Sequence, residues 1–556
     1  MRFCVFDCEV TYGEDYKRKG NPFVEKNELV CISYLAHGMS EPIVCRNKIP
    51  KEIFQAKILI GHNIKFDLLW LMRYAEPQFI QWLKNGGKIW DTMLADYMMN
   101  GHLKIGYSLD KTALRYGGVI KDDRIKSMWE AGIQTKDIPA DLLDEYVKTD
   151  VKNTHLIAKN QVKKIKEMGM MPIVEEHQRG IIFTMLCEYN GAKVDLDIAE
   201  QIRDDLKKEE QDLAASLKDL VIRQVGVDNF EHINLKSVDH LSALLYGGKI
   251  KACKRLPKKD ENGEVIIYKS GVKKGQIKET WQQTYIPIKG FGLKGKEELK
   301  AKKEGNYQTG FKILLENSSK IKFISVLLNY RKVAKLLSTY VSEVGGSVVA
   351  LTHPDGCVHG SFNHCVTSTG RLSGSSPNLQ NIEKKSPLKR IFNSRFANGE
   401  IVQFDFSQLE LKTLAYHTQD DSLITDIYDN IDGYVKTLAE VEGIAYEEAF
   451  RKSKIEEDPV WKQKRDLLKS VVLGLNYGMG KFKCADTLGV DLEFVEEIIK
   501  ARNIAYPQVN LFNSKVLEII KENLIDKSEY PDYNFNTAKG LEAKLGQWID
   551  PFKARF

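Results

Sequence analysis

The chain is predicted to be an α/β protein built in two parts, on three observations. Its 556 residues are three to four times a typical single domain, so at least two cores are expected. The first 160 residues alternate short β-branched or aromatic runs with helical patterns, the signature of a mixed sheet covered by helices. After Met168 to Met171 the pattern turns mainly helical until β-like residues return near Ile401 to Phe406. These shifts place a boundary near residue 175, giving parts 1–175 and 176–556. A composition of 43% hydrophobic and 28% charged residues excludes wholesale disorder and fibrous repeats.

The elements follow in order. Phe3 to Phe6, Leu29 to Leu35 and Ile58 to Ile60 read as strands, and Phe66 to Tyr74 and Asp141 to Lys159 as helices. Long charged helices are predicted around Asp195 to Gln224 and Lys312 to Glu343. From Lys249 to Glu304 there are sixteen basic and seven acidic residues, an excess of +9 in a chain whose net charge is +6. With Asn262-Gly263, Gly271 and Gly275, this stretch reads as hairpins and loops in solvent. Its lysines are either simply solvated or placed to meet phosphates.

No apolar run reaches the ~18 residues of a membrane span, and MRFCVFDCEV lacks a signal peptide's apolar stretch, so a cytoplasmic protein is expected. The nine cysteines are odd in number and never form C-x-x-C, so they read as reduced thiols, and any metal must take oxygen ligands.

In Phe3 to Glu9 the strand period of two sets Asp7 and Glu9 on one face, about 7 Å apart. Paired carboxylates repel unless a cation neutralises them, and a hard divalent ion such as Mg²⁺ or Mn²⁺ suits oxygen ligands. Asn63-Ile64-Lys65-Phe66-Asp67 follows the third strand and places Asp67 at a helix start. Tyr146 and Asp150 are spaced i, i+4 on a helix and share a face. Taken singly, each has a plain structural reading: solvated acids, a helix cap, a packing tyrosine. Together, D-x-E, N-x-x-F-D and Y-x-x-x-D within about 145 residues resemble the DEDD-type 3′→5′ exonucleases with a tyrosine in the third motif, which have an RNase H-like fold. That resemblance implies that Asp7, Glu9, Asp67 and Asp150 hold two metal ions and that Tyr146 orients the attacking water. Asp91 is given a supporting role.

In the second part, Ile401 to Phe406 reads as a strand that delivers Asp405 at its end and runs on into a helical pattern. Arg465, Lys469, Leu473 and Tyr477 are spaced by four on a helix ending at Gly478, a stripe of about 18 Å. Two cations at one end and an apolar and an aromatic side chain at the other match a nucleoside triphosphate, and equally an ordinary amphipathic helix. The segments D-F-S-Q-L-E-L-K, R-D-L-L-K-S-V-V-L-G-L-N-Y-G, and T-G-R-L-S-G-S-S-P-N-L-Q-N-I from Thr369 to Ile382 resemble the family A DNA polymerases, especially phage-type members.

With the exonuclease motifs, the likeness spans nearly the whole chain and implies a polymerase right hand after the exonuclease domain. Its thumb would span about 196–345, palm strands about 346–410 and fingers about 411–515. It implies that Asp405 and the carbonyl of Phe406 bind two metal ions of a polymerase centre and that Glu410 is the steric gate against a 2′-hydroxyl. It implies further that Arg465 and Lys469 contact phosphates, that Leu473 and Tyr477 sit by the nucleotide, and that Arg371 reaches the primer terminus. The partners implied are a DNA primer–template and deoxynucleoside triphosphates, with the basic 249–304 segment on the duplex backbone.

Four features depart from that family pattern. Leu473 and Lys412 replace an aromatic residue and an arginine, and Asp432-Gly433-Tyr434 stands for D-x-H. The His-Asp-Glu palm strand of the family is not found before Phe556, and Asp550 reads as a turn residue. The expectation is therefore a proofreading DNA polymerase without a 5′ nuclease, whose C-terminal palm is encoded separately, and then supplied by another polypeptide, or was lost from this chain. The alternatives are a stand-alone 3′→5′ exonuclease whose polymerase half grips DNA, and a non-catalytic DNA-binding scaffold.

Overall fold

The computed structural model describes residues 2–11, 20–46, 48–101, 105–120, 123–226, 230–268, 275–295, 300, 306–382, 386–522, 524–525 and 548–549. The turn glycine Gly271 and Asp550 fall outside the described residues. Two compact units separate at residue 401, one of Met1–Asp96 with Tyr107–Ile401, the other of Tyr97–Gly106 with Val402–Phe556. Residue 175 lies inside a continuous helix, Met171–Asn190.

The first unit opens with five strands: β1 (Phe3–Val10), β2 (Leu29–Ala36), β3 (Ile43–Cys45), β4 (Ile58–Gly61) and β5 (Lys88–Asp91). They form one sheet in the order β3-β2-β1-β4-β5. β1 pairs antiparallel with β2, setting Asp7 opposite Ser33 and Glu9 opposite Cys31, and parallel with β4. β4 pairs parallel with β5, so that Gly61 stands beside Asp91. The first half of the central strand β1 is apolar because both faces are covered there, with Cys4, Val5 and Phe6 buried, whereas its second half carries Asp7 and Glu9. Helix Lys65–Lys84 enters directly after β4 and kinks at Ala75, whose φ of −147° is set two residues before Pro77. Helix Ala140–Glu167 buries Val147, Asp150 and Val151 on one face.

Beyond helix Met171–Asn190, helix Leu196–Val225 starts at a cap in which the Asp195 carboxylate accepts the Ile198 N–H at 3.0 Å. The basic segment forms a ribbon of Gly248–Pro257 against Glu279–Ile288, anchored at its base by Ile250, Ile286 and Ile288 in a core shared with Leu244 and Phe323. The long helix predicted over Lys312 to Glu343 is broken instead into Phe311–Asn317 and Lys322–Leu336, followed by a π turn over Leu337–Val341. The break falls at Ser318 and Ser319, where hydroxyls compete for the backbone: Ser318 Oγ donates to the Leu315 carbonyl at 2.7 Å. A two-stranded hairpin, Ser361–Asn363 with Ser373–Ser375, carries Arg371 just before its second strand.

The second unit is a helical cluster. Leu411, Tyr434, Leu468, Val471, Val472, Val495 and Ile498 form its core, drawn from helices Leu409–Thr418, Gly433–Glu442, Pro459–Asn476 and Leu492–Ala505. The strand predicted over Ile401 to Phe406 is corrected: among the described residues this stretch has no ladder partner, and it lies in solvent, with Phe404 89% exposed. An apolar β-prone sequence becomes a strand only when another strand satisfies its amides. Asp405 accordingly stands on exposed irregular backbone.

Candidate active sites

In the first unit, ligand oxygens of Asp7, Glu9 and Asp150 all lie within 4.8 Å of one another. β1 supplies the first two from one face, and helix Ala140–Glu167 supplies the third. Glu9 and Asp150 are buried, so three carboxylates share a poorly hydrated space where mutual repulsion is strong. Such an all-oxygen set fits a hard divalent cation.

Asp67 sits in the first turn of helix Lys65–Lys84 but is turned onto β1, where its Oδ1 accepts the Cys8 N–H at 2.9 Å. Full burial, then the charge of Asp7, push its carboxyl well above the usual range. The structure thus gathers three of the four expected acids and holds the fourth beside Asp7, bonded to the strand between them. Tyr146 is half-buried and meets the Trp129 ring edge-on at 5.8 Å.

Asp91 does more than support. Its carboxylate accepts the N–H groups of Asn63 at 3.0 Å, Ile64 at 3.1 Å and Met93 at 2.8 Å, fixing the turn that leads to Asp67. Asn63 sits there in the left-handed region, with φ 58°. Burial raises the Asp91 carboxyl to about 6, against the lowering by these amides. The sequence signal for this role was an aspartate ending a strand and opening helix Thr92–Met99.

In the second unit, helix Pro459–Asn476 carries Arg465, Lys469 and Leu473, with Tyr477 as its C-terminal cap. Arg465 Nη2 donates to Asp432 Oδ2 at 2.6 Å, and both side chains are largely buried. The other oxygen of Asp432 accepts the amides of Tyr434 and Val435, so one carboxylate caps helix Gly433–Glu442 and holds the arginine. Burial pushes the Asp432 carboxyl up, but the bond and charge of Arg465, the Val435 amide and the Lys454 charge outweigh it and keep it below the ordinary range. Nothing in the motif spacing pointed to this pairing.

Lys469 Nζ lies 5.5 Å from the Tyr434 ring centre, and the Tyr477 hydroxyl donates to Glu410 Oε1 at 2.9 Å. Leu473 is partly buried and packs against the helical core. Asp405, Phe406 and Glu410 are exposed. Arg371, in the first unit, is exposed as well, and its carbonyl accepts the Thr367 hydroxyl at 2.7 Å.

Relatives extend these observations. The chain is 25% identical over 482 residues to DNA polymerase I of Helicobacter pylori (strain J99), covering 84% of this chain and 43% of that protein. DNA polymerase I of Synechocystis sp. is 27% identical over 505 residues, covering 88% and 43%. The thermostable DNA polymerase I of Thermus aquaticus is 30% identical over 223 residues, covering 39% and 25%. The chain therefore spans less than half the length of each of these relatives. A solved structure described as the POL domain of Pol1 from M. smegmatis, in complex with DNA primer–template and dNTP, shares the fold. Its TM-score is 0.63 at 17% identity, covering 94% of this chain and 76% of that one. The family model of DNA polymerase family A matches residues 203–528, more than half of the sequence, and the chain belongs to that family.

Proposed function

We propose that this chain is a DNA-templated DNA polymerase with a 3′→5′ proofreading exonuclease, its exonuclease part over about residues 1–175. Thumb, palm and fingers would then occupy about 196–345, 346–410 and 411–515. The observation that carries the nuclease half is the convergence of Asp7, Glu9 and Asp150 within 4.8 Å. Membership of family A carries the polymerase half.

In the exonuclease, Asp7, Glu9 and Asp150 would hold divalent ions, generally Mg²⁺, with Asp67 completing the set. Bound there, two such ions supply a hydroxide nucleophile at neutral pH and neutralise charge on the leaving 3′ oxygen. Tyr146, on the same helix as Asp150, orients the attacking water through its hydroxyl. In the polymerase, Arg465 and Lys469 bind the incoming phosphates, Glu410, bonded to the Tyr477 hydroxyl, is the steric gate against a 2′-hydroxyl, and Leu473 and Tyr477 sit by the nucleotide. Asp405 and the Phe406 carbonyl would hold the polymerase metals, and Arg371 would meet the primer end.

The test is a primer–template with Mg²⁺, with and without deoxynucleotides. Digestion without nucleotides is expected, and extension with them when a polypeptide carrying the palm strand is supplied; Asp7→Ala should lower digestion at least about a hundredfold while extension persists. Digestion without extension, also when a polypeptide carrying the family's His-Asp-Glu palm strand is added, would favour the second reading, a nuclease whose polymerase part only grips duplex DNA. One observation supports that second reading: Asp405 lies on exposed irregular backbone. Loss of both activities in the wild-type chain would reduce the protein to a DNA-binding scaffold.

A further inference from the structure

Lys65 stands two residues before Asp67, at the first position of helix Lys65–Lys84. Its ammonium lies 2.5 Å from Glu188 Oε1, and the two side chains are 13% and 4% exposed. Glu188 belongs to helix Met171–Asn190, and the same Oε1 accepts the Phe362 N–H at 2.6 Å. Lys65 Nζ also donates to the Phe362 carbonyl. Phe362 is the middle residue of strand Ser361–Asn363, paired across from Gly374 in the hairpin that carries Arg371. The Glu188 carbonyl in turn accepts the His359 Nδ1–H at 2.7 Å.

A buried ion pair of this kind adds little net stability, because desolvating two charges offsets their attraction. Burial indeed pushes the Glu188 carboxyl up despite the Lys65 charge beside it. What the pair adds is direction. Asp91 grips the turn before Asp67 through the amides of Asn63 and Ile64, and the Lys65 side chain ties the next residue position to Glu188.

We propose that Lys65 and Glu188 are positioning residues of the exonuclease centre, locking the first turn of the Asp67 helix to strand Ser361–Asn363. The carboxylate geometry of the nuclease is then set in part by residues outside the 1–175 segment, in the hairpin that presents Arg371. This rests on the exonuclease reading above.

The test titrates Mg²⁺ in single-turnover digestion of a short single-stranded oligodeoxynucleotide, using wild type, Lys65→Met, Glu188→Gln and the double variant. The glutamine keeps an acceptor for the Phe362 amide and removes only the charge. Each single variant should raise the Mg²⁺ concentration for half-maximal rate about tenfold, the effect of losing an outer partner of a metal ligand, with unchanged KM for the oligonucleotide. The double variant should match the singles, because the pair acts as one unit. An unchanged Mg²⁺ requirement in the variants that fold, or single effects that add in the double, overturns the proposal. A merely stabilising role would lower the melting temperature and the active fraction without moving the Mg²⁺ midpoint. If Glu188→Gln fails to fold, Lys65→Met alone decides by the same readout. Wild type that does not digest, or Asp7→Ala that digests like wild type, removes the exonuclease reading itself, and that outcome is distinct from a normal Mg²⁺ midpoint in the variants.

Discussion

Asp432 shows what a single residue does in the second unit, because its two oxygens serve different partners. One caps helix Gly433–Glu442 and the other holds Arg465 at 2.6 Å. Asp432→Asn keeps a cap oxygen but removes the nearer counter-charge of a largely buried guanidinium, which retains Asp466 at 3.5 Å, and should cost about 3 kcal/mol in urea unfolding. A change below about 1 kcal/mol would show that Lys454 and Arg465 redistribute without strain. At this scale the sequence announced which residue types matter better than whom they touch. Asp7, Glu9 and Asp150 converge because strand and helix periods aim them, and both periods are legible in one dimension. That Asp67 turns onto Cys8, and that Leu473 joins the core, depends on neighbours far away in sequence.

Among the elements, strands β1, β2 and β4 of the first sheet and the helices Lys65–Lys84, Ala140–Glu167 and Leu196–Val225 follow their sequence patterns, whereas the short edge strands β3 and β5 were not read from the sequence. Ile401 to Phe406 does not, since β propensity without a ladder leaves apolar side chains in water. The basic ribbon, if it lies on duplex DNA, contributes counterion release. Replacing Lys249, Lys251, Lys258 and Lys259 by glutamine should then flatten the plot of log affinity against log salt by about 0.9 for each phosphate that is no longer neutralised. An unchanged slope would leave the ribbon as a solvated face. The Arg371 hairpin carries its own pH signature. His364 Nε2 lies 2.8 Å from the Thr184 hydroxyl, and burial, then the charges of Lys65 and His177, lower its pKa to about 4. Because the folded value is depressed, its contribution is present above its ordinary value of about 6.5 and is lost as pH falls through about 4. Wild type should therefore lose more urea resistance between pH 7 and pH 4.5 than His364→Asn does.

For the whole molecule, cores built from different helices in each unit imply that unfolding is not one concerted event. The first unit is held by clusters around Leu244 and Phe323 and around Val194 and Leu388, the second by clusters around Leu468 and Val435. Calorimetry should resolve at least two transitions, with a van't Hoff enthalpy well below the calorimetric one, whereas equal enthalpies in a single peak would contradict separate cores. The sequence by itself determined the α/β class, the order of the acidic and nucleotide motifs and the basic insertion, because periodicity and local charge are properties of adjacent residues. Only the tertiary structure decided that Asp91 fixes the turn before Asp67, that Asp432 holds Arg465, and that Glu188 ties Lys65 to the Arg371 hairpin. Those contacts join side chains dozens to hundreds of positions apart, and their energy depends on burial that no local pattern records.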